Sequence, residues 1–149
     1  MAKLSKNQRS PCPVAGALDI IGDRWTLLVI RDMLFGKQRF DDFLKSPERI
    51  ATNILSQRLK WLIENGLTER TPDPKDGRKV IYTLTERGAS LQPLIDTIAE
   101  WGLNTIHDVA IHPDYQAHEA SPQALDEETS PTEPELHEEH FDFDRVDLL

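Results

Sequence analysis

The chain has 149 residues, a single cysteine and a formal net charge of −9, so it can form one domain with a modest core and a tail. No apolar run approaches the ~18 residues that span a bilayer, and no signal-type apolar core follows the basic N-terminus. A lone cysteine excludes an internal disulfide framework, so we expect a protein of the reducing cytoplasm with no membrane partner.

The charge is divided unevenly along the chain. Residues 1–101 hold 16 Lys and Arg against 13 Asp and Glu, whereas residues 102–149 hold only Arg145 against 13 acids. A mildly basic body therefore precedes a strongly acidic segment, and the whole-chain charge does not exclude a polyanionic partner. The predicted organisation is a flexible arm over 1–10, a folded domain over 11–106 and an acidic, disordered tail over 107–149.

Two helices are predicted near the start of the chain. Proline is preferred in the first turn of a helix, and Pro13 would begin one with its body over 14–21. Asp23 is a suitable N-cap for a second helix over 24–35, which is apolar on nearly every side. Such a helix is typical of the centre of a small domain, so we expect the core to form around it.

A short third helix over 40–46, a turn at Pro47 and a longer amphipathic helix follow. Thr52 is the predicted N-cap of this longer helix, with Ala51 as an alternative start, and Gly66 would end it as a left-handed cap. A short helix, a tight turn and an amphipathic helix predict a helix-turn-helix, whose second helix enters the major groove of DNA.

The two faces of the longer helix differ in chemistry. One face is apolar and would pack on the core; it carries Leu55, Leu59, Leu62 and Ile63. The opposite face is polar and carries Asn53, Ser56, Gln57, Lys60 and Glu64. Amides pair bidentately with adenine, and ammonium or guanidinium groups pair with guanine or phosphates, so the polar face suits DNA. The alternative interpretation is an ordinary amphipathic surface helix.

Two short strands are predicted next, over 67–71 and 80–84. The stretch between them is dense in turn formers, and Asp76-Gly77 is its strongest hairpin signal. Two strands after a helix-turn-helix predict a winged helix. The charges of the connecting loop would meet phosphates or a minor groove, or else form a solvated hairpin tip. These cations are Lys75, Arg78 and Lys79.

One long helix is predicted after the strands, capped by Thr85, with Pro93 in its first turns or at a kink. Its apolar stripe has no evident partner within the domain, so this helix and the first one are the candidate dimer interface. The stripe comprises Leu91, Leu94, Ile95, Ile98, Ala99 and Trp101. A two-fold dimer would present two recognition helices roughly one DNA turn, ~34 Å, apart.

Three blocks of the sequence carry a family resemblance. CPVAGALDIIGDRWTLLVIRDMLFGKQRFDDF, IATNILSQRLKWLIENGLTER and DGRKVIYTLTERGASL resemble the HxlR-type winged helix-turn-helix transcriptional regulators of bacteria, over residues 11–101. The resemblance implies a mainly α fold with a small β-hairpin, and a homodimer built from the N- and C-terminal helices. It also implies that the helix beginning near Thr52 recognises DNA and that the wing supports it. The acidic segment has no counterpart in the family core.

The pattern and the resemblance together predict one set of residues that contact double-stranded DNA. The set comprises Thr52, Asn53, Ser56, Gln57, Arg58, Lys60, Lys75, Arg78 and Lys79.

Cys12 lies between Pro11 and Pro13 at the start of the first helix. The helix dipole and the nearby Lys6 and Arg9 would favour its thiolate. Some members of the resembled family use a cysteine at about this position to sense oxidants or electrophiles, so Cys12 is the candidate redox sensor. The alternative is a small buried residue with no reactivity.

No enzyme motif is present. The chain has no phosphate-binding glycine loop, no Gly-x-Ser-x-Gly elbow and no Cys-x-x-Cys pair, and His137 and His140 are three residues apart where the metalloprotease helix needs four. Arg31 and Asp32 are interpreted as a structural ion pair. We therefore expect no catalysis, cofactor or metal.

The leading hypothesis is a homodimeric regulator on a pseudo-palindromic operator, with an oxidant or small molecule as effector. The alternative is a winged-helix protein-interaction module that uses the acidic tail. The end of this tail, 141–149, alternates acidic and hydrophobic residues, and one hypothesis is that it competes with DNA for the basic face.

Overall fold

The structure is a computed structural model that describes residues 9–115. The remainder of the predicted N-terminal arm and the acidic segment from residue 116 onward lie outside the described residues. The described part is mainly helical with one antiparallel hairpin. Its elements are α1 (Pro13–Ile21), α2 (Thr26–Leu34), α3 (Phe40–Leu44), α4 (Thr52–Glu64), β1 (Thr68–Asp73), β2 (Asp76–Leu84), α5 (Glu86–Ala89), α6 (Gln92–Thr105) and a 3-10 turn (Pro113–Tyr115).

The Asp23 side chain binds the turn just before α2, but Asp23 is not the N-cap that the sequence predicts: the N-cap is Trp25, which has no side-chain cap. One carboxylate oxygen of Asp23 accepts hydrogen bonds from the backbone N–H groups of Trp25 (2.9 Å) and Thr26 (3.1 Å), and the other accepts from the Thr26 hydroxyl. The first helical hydrogen bond of α2 runs from the Val29 N–H to the Trp25 carbonyl at 3.0 Å, so the helix starts two residues later than predicted. Val29 and Ile30 are buried, which confirms the prediction that this helix lies at the centre of the domain.

The core is built by α2, α3, α4 and the start of the wing. Its buried members are Val29, Ile30, Met33, Phe43, Ile50, Leu55, Leu59, Leu62 and Leu67. The sequence is right about three leucines of α4 but wrong about Ile63, whose residue remains 37% exposed. Successive residues of a helix are rotated by about 100°, so the residue after Leu62 leaves the buried stripe.

The hairpin forms the wing, but its turn is not where the sequence predicts it. Strands β1 and β2 pair antiparallel, and Asp73 opposes Asp76, so the turn residues are Pro74 and Lys75 rather than Asp76-Gly77. Proline favours this turn by fixing its own φ, and the Asp73 carboxylate accepts the Lys75 N–H at 2.8 Å. Both strands are therefore longer than predicted.

The wing also contains a register shift. Thr71 opposes Ile81 and Pro72 opposes Val80, but the next pair is Asp73 with Asp76, so residues 77–79 form a bulge on β2. The wing is fixed to the loop before α3 at two points, one on each strand. There the Tyr82 N–H donates to the Gln38 carbonyl at 2.8 Å, and Arg39 forms an ion pair with Asp73.

The predicted long C-terminal helix is divided in two. The Thr85 hydroxyl caps α5 by accepting the Gly88 N–H at 3.0 Å, and a new helix begins at Gln92 with Pro93 in its first turn. Proline lacks the N–H that would continue the hydrogen-bond ladder, and its ring excludes the preceding turn, so the helix restarts. Gly88 is required because a Cβ there would lie 2.0 Å from the Leu67 carbonyl oxygen.

Helix α6 buries none of its residues in this chain. Trp101 is 60% exposed and Val14 on α1 is 64% exposed. The other large apolar residues exposed on these two helices are Leu18, Leu94, Ile98 and Leu103. Within residues 9–115, no helix is both long and apolar enough to cross a bilayer.

The segment after α6 packs against α2 through Tyr115. The Tyr115 hydroxyl donates to Asp32 Oδ1 and accepts from Arg31 Nη2, both at 2.8 Å, and its ring lies 4.2 Å from the Arg31 guanidinium. Burial and the neighbouring Asp32 raise the pKa of Tyr115. The predicted ion pair of Arg31 with Asp32 is confirmed at 2.9 Å, and Arg31 also binds Glu48 at 2.8 Å. This network is structural.

Candidate nucleic-acid interface

The helix-turn-helix consists of α3, a seven-residue connection and α4. In the connection, Arg49 adopts a left-handed conformation (φ 53°), and its N–H donates to the Ser46 carbonyl at 2.9 Å. Ile50 is buried beneath the turn. Ala51 is the N-cap, without a side-chain cap, so Thr52 is the first helical residue and the alternative start is the correct one. This geometry leaves the N-terminal turn of α4 exposed.

The outward face of α4 carries polar side chains that the described fold does not use. Asn53, Ser56 and Gln57 are exposed, and within residues 9–115 their side chains make no hydrogen bond or ion pair. Thr52 is exposed in the same way. Lys60 lies 3.8 Å from Glu64, both exposed, which is a weak pair. The predicted amides, hydroxyls and ammonium group thus share one solvent-facing surface, which we name the outward face of α4 (52, 53, 56, 57 and 60).

Arg58 lies on a different side of α4 from the rest of the predicted set. Its Nη1 is 3.1 Å from Asp23 Oδ2, and its side chain is only 25% exposed. Burial of Asp23 opposes ionisation, but the hydrogen bonds from Thr26 and Trp25, together with the charge of Arg58, lower the pKa of this carboxyl. The sequence pattern did not reveal this partner because Asp23 is 35 residues away.

The wing cations are displayed at the tip of the hairpin. Lys75 is in the turn, and Arg78 and Lys79 are in the bulge. All three residues are exposed, and within the described part of the chain their side chains form no ion pair. Cations held in this way can meet phosphates without first breaking a bond to the protein.

A groove lies between α4 and the wing, with a volume of about 440 Å³. It brings Ser56 and Lys60 together with Arg70 of β1, a residue that the sequence analysis did not select. Arg70 opposes Tyr82 in the hairpin, so both side chains are on the same face of the sheet. Counting back from the turn would have placed Arg70 opposite Lys79; the bulge changes the register, which the sequence pattern does not disclose.

Cys12 is exposed at the N-cap of α1. Its carbonyl accepts the Gly16 N–H at 3.0 Å, and its own N–H donates to the Ser10 hydroxyl at 3.2 Å. The predicted location at a helix start is confirmed, and the alternative of a buried cysteine is wrong. Arg9 forms an ion pair with Asp19, so its positive charge is already paired with a carboxylate.

Several sequence features fall outside the described residues. They are Lys6, the histidines His137 and His140, and the acidic–hydrophobic segment over 141–149.

Comparisons with known proteins agree with this architecture. Residues 20–109 match the family model described as HxlR-like helix-turn-helix. The HTH-type transcriptional regulator Rv3095 of Mycobacterium tuberculosis is 39% identical over 89 residues, which are 60% of this chain and 56% of that protein. The chain thus matches little more than half the length of this relative.

Two solved structures are similar in sequence and in fold. The transcription factor PA1607 superposes with a TM-score of 0.65 at 37% identity, over 72% of this chain and 76% of that one. The redox regulator HypR in its oxidised form superposes with a TM-score of 0.59 at 34% identity, over 66% of this chain and the whole of HypR. These proteins are named as regulators, not as enzymes. Because the matched model covers more than half of the sequence, the chain belongs to the HxlR-like helix-turn-helix family of transcription regulators.

Proposed function

We propose that the protein binds double-stranded DNA, with α4 in the major groove, and thereby controls transcription in the cytoplasm. The observation that carries the proposal is the outward face of α4, where Asn53, Ser56 and Gln57 are exposed and are not bonded within the described chain. Side-chain amides bind adenine through two hydrogen bonds, and each such pair discriminates against a wrong base by ~1–3 kcal/mol.

The cations around this face would contact the DNA backbone. Lys60 and Arg70 line the groove beside α4, and Lys75, Arg78 and Lys79 extend from the wing. Phosphate contacts fix the orientation of a protein on the duplex and contribute affinity that falls with salt. Arg58 remains a predicted DNA contact, although its present partner is Asp23.

We also propose that the protein acts as a homodimer. Helices α1 and α6 expose apolar side chains such as Val14, Ile98 and Trp101, which water solvates unfavourably. A two-fold axis through these helices would bury the same patch from both copies and place the two α4 helices on half-sites ~34 Å apart. The corresponding operator is pseudo-palindromic.

The test is a binding titration of the full chain on DNA from upstream of its own gene, at physiological salt. We expect specific binding in the nanomolar range. Gln57→Ala should weaken it about 10-fold or more, whereas Gln92→Ala, which removes an exposed amide from α6, should not. Absence of specific binding, or wild-type affinity in Gln57→Ala, contradicts the proposal and favours the protein-interaction module.

Cys12 is the proposed redox sensor. Its thiol is exposed, and the similar protein HypR is named a redox regulator. With a single cysteine, oxidation by diamide would join Cys12 thiols from two chains; two protons and two electrons pass to diamide, which becomes the hydrazine. Cys12→Ser should retain DNA affinity and lose the response to diamide. An unchanged response in Cys12→Ser rejects the sensor role.

A further inference from the structure

Two bonds tie one flank of α4 to the end of α1 and to the connection between α1 and α2. The Trp61 indole Nε1 donates to the Ile20 carbonyl at 2.9 Å, and Arg58 Nη1 donates to Asp23 Oδ2 at 3.1 Å. Trp61 is half-buried. Residues 58 and 61 are one helical turn apart, so both bonds leave α4 on the same flank, away from its outward face.

Each bond reaches a hydrogen-bond acceptor at or near the end of a neighbouring helix. Ile20 is in the last turn of α1, where carbonyls have no partner within the helix, and Trp61 supplies that partner. Asp23 lies just before α2 and accepts from the backbone N–H groups of Trp25 and Thr26 while it holds Arg58. The end of α1, the start of α2 and the middle of α4 are therefore fixed to one another at this junction.

We propose that Trp61 and Arg58 form a brace that sets the angle between α1 and α4, and so the spacing of the two recognition helices in the dimer. This inference rests on the proposed function, because it takes α1 as part of the dimer interface and α4 as the DNA-recognition helix. The exposed face of α1 carries Val14 and Leu18. The path from the interface to the DNA is thus the apolar face of α1, the brace and α4.

The distance from the brace to the N-terminal end of α4 is large enough for a small rotation to change the spacing of the recognition helices. Nine residues separate Thr52 from Trp61, a length of ~13 Å at 1.5 Å per residue. A rotation of α4 by about 15° around the brace would move its N-terminal end by ~3.5 Å, close to the 3.4 Å rise of one base pair. A looser brace therefore broadens the range of half-site spacings that the dimer accepts, without changing the residues that contact the bases.

The experiment measures spacing preference in the full-length dimer. The probes are duplexes that carry the operator footprinted upstream of its own gene, with the half-sites at native spacing or moved by one or two base pairs, and a duplex with one half-site. The variants are Trp61→Phe, which keeps an aromatic ring and removes the N–H, and Asp23→Asn, which keeps an oxygen that can accept the Trp25 and Thr26 N–H groups and removes the charge. Trp25→Phe is the control, a half-buried tryptophan outside the brace.

Wild-type protein and Trp25→Phe should prefer native spacing about 10-fold or more over a one-base-pair change. In Trp61→Phe and Asp23→Asn this preference should fall below about 3-fold, while affinity for the single half-site stays within 2-fold of wild type. Wild-type preference in both brace variants overturns the inference. Equal weakening on every duplex also overturns it, since that is the result of a merely structural role. Failure of the wild-type protein to bind any operator contradicts the proposed function instead.

Discussion

Helices α4 and α6 are alike in length and amphipathic pattern but differ in what they bury. Helix α4 has 13 residues and buries Leu55, Leu59 and Leu62, whereas α6 has 14 residues and buries none. Helix α4 therefore turns a polar face to solvent, and α6 turns an apolar one. An amphipathic pattern alone predicts that a helix has a partner, and only the packing shows whether that partner is in the same chain.

The difference assigns separate roles to the two exposed faces. Burial of apolar surface contributes about 25 cal/mol per Å², and α4 already has this contribution within one chain. Its outward face is free to carry polar groups for DNA. The exposed Ile98 and Trp101 of α6 gain the same contribution only when another surface covers them. We therefore expect changes in α4 to affect folding and DNA binding, and changes in α6 to affect assembly.

The largest expected effect is on folding. Leu62→Ala should lower the free energy of unfolding by ~3 kcal/mol, because it leaves a cavity beneath α4. Leu94→Ala, on the exposed stripe of α6, should cost less than about 1 kcal/mol. Urea denaturation at a protein concentration where the chain is monomeric measures both. Equal losses would mean that Leu94 packs within the chain as closely as Leu62 does.

The next largest effect is on assembly. Trp101→Ala should raise the dissociation constant of the proposed dimer about 30-fold, because large aromatic residues dominate the binding energy of interfaces. The monomer's resistance to urea should stay unchanged. Glu100→Ala, its neighbour on α6, is the control. Sedimentation velocity across a concentration series measures the equilibrium, and a Trp101→Ala dimer of wild-type affinity would remove α6 from the interface.

A smaller effect is expected at the wing. Arg78→Ala should weaken binding to specific and non-specific DNA by a similar few-fold factor. It should also reduce the slope of log affinity against log salt by about 0.9, the value for one lost phosphate contact. Arg87→Ala, an exposed arginine on α5, should leave the slope unchanged. A loss restricted to the specific operator would instead place Arg78 on a base.

The smallest effect concerns the acid stability of the α4 junction. Asp23 has a lowered pKa in the folded protein, so it stabilises the fold above its unfolded pKa of about 3.9 and loses that contribution as pH falls through the folded value. The stability difference between wild type and Asp23→Asn should therefore shrink on acidification to about pH 3. Thermal unfolding across this range measures it, and the same comparison in an Arg58→Met background isolates the share of Arg58. A difference independent of pH contradicts the assignment.

Much of the fold follows from local patterns in the sequence. The helical period identified the buried leucines of α4 and its polar face, because both depend only on residues within four positions of each other. Gly66 and Thr85 fixed helix ends through backbone geometry or a side-chain bond, and these two predictions were right, whereas Asp23 binds the turn before α2 without being its N-cap. The wing followed from strand-like patterning after a helix-turn-helix.

The errors have equally physical causes. Asp76-Gly77 is a good turn sequence, but Pro74, with a buried Asp73 held by Arg39, forms the turn earlier. The bulge that follows changes the register and brings Arg70 to the groove. The prediction of a single long helix after the wing was wrong, because Pro93 is accepted at the start of a helix but cannot donate the backbone hydrogen bond that a continuous helix needs. The turn position, the hairpin register and the helix ends each had more than one locally acceptable solution. Contacts with residues distant in sequence selected among them.

The sequence by itself determined which segments are helical, which faces are apolar and that a polar face is available for DNA, because these properties depend on neighbours along the chain. Only the tertiary structure decided which apolar faces remain exposed, that Arg58 pairs with Asp23, and that Trp61 binds the end of α1. Those contacts join residues 35 and 41 positions apart, and their geometry depends on how the helices pack.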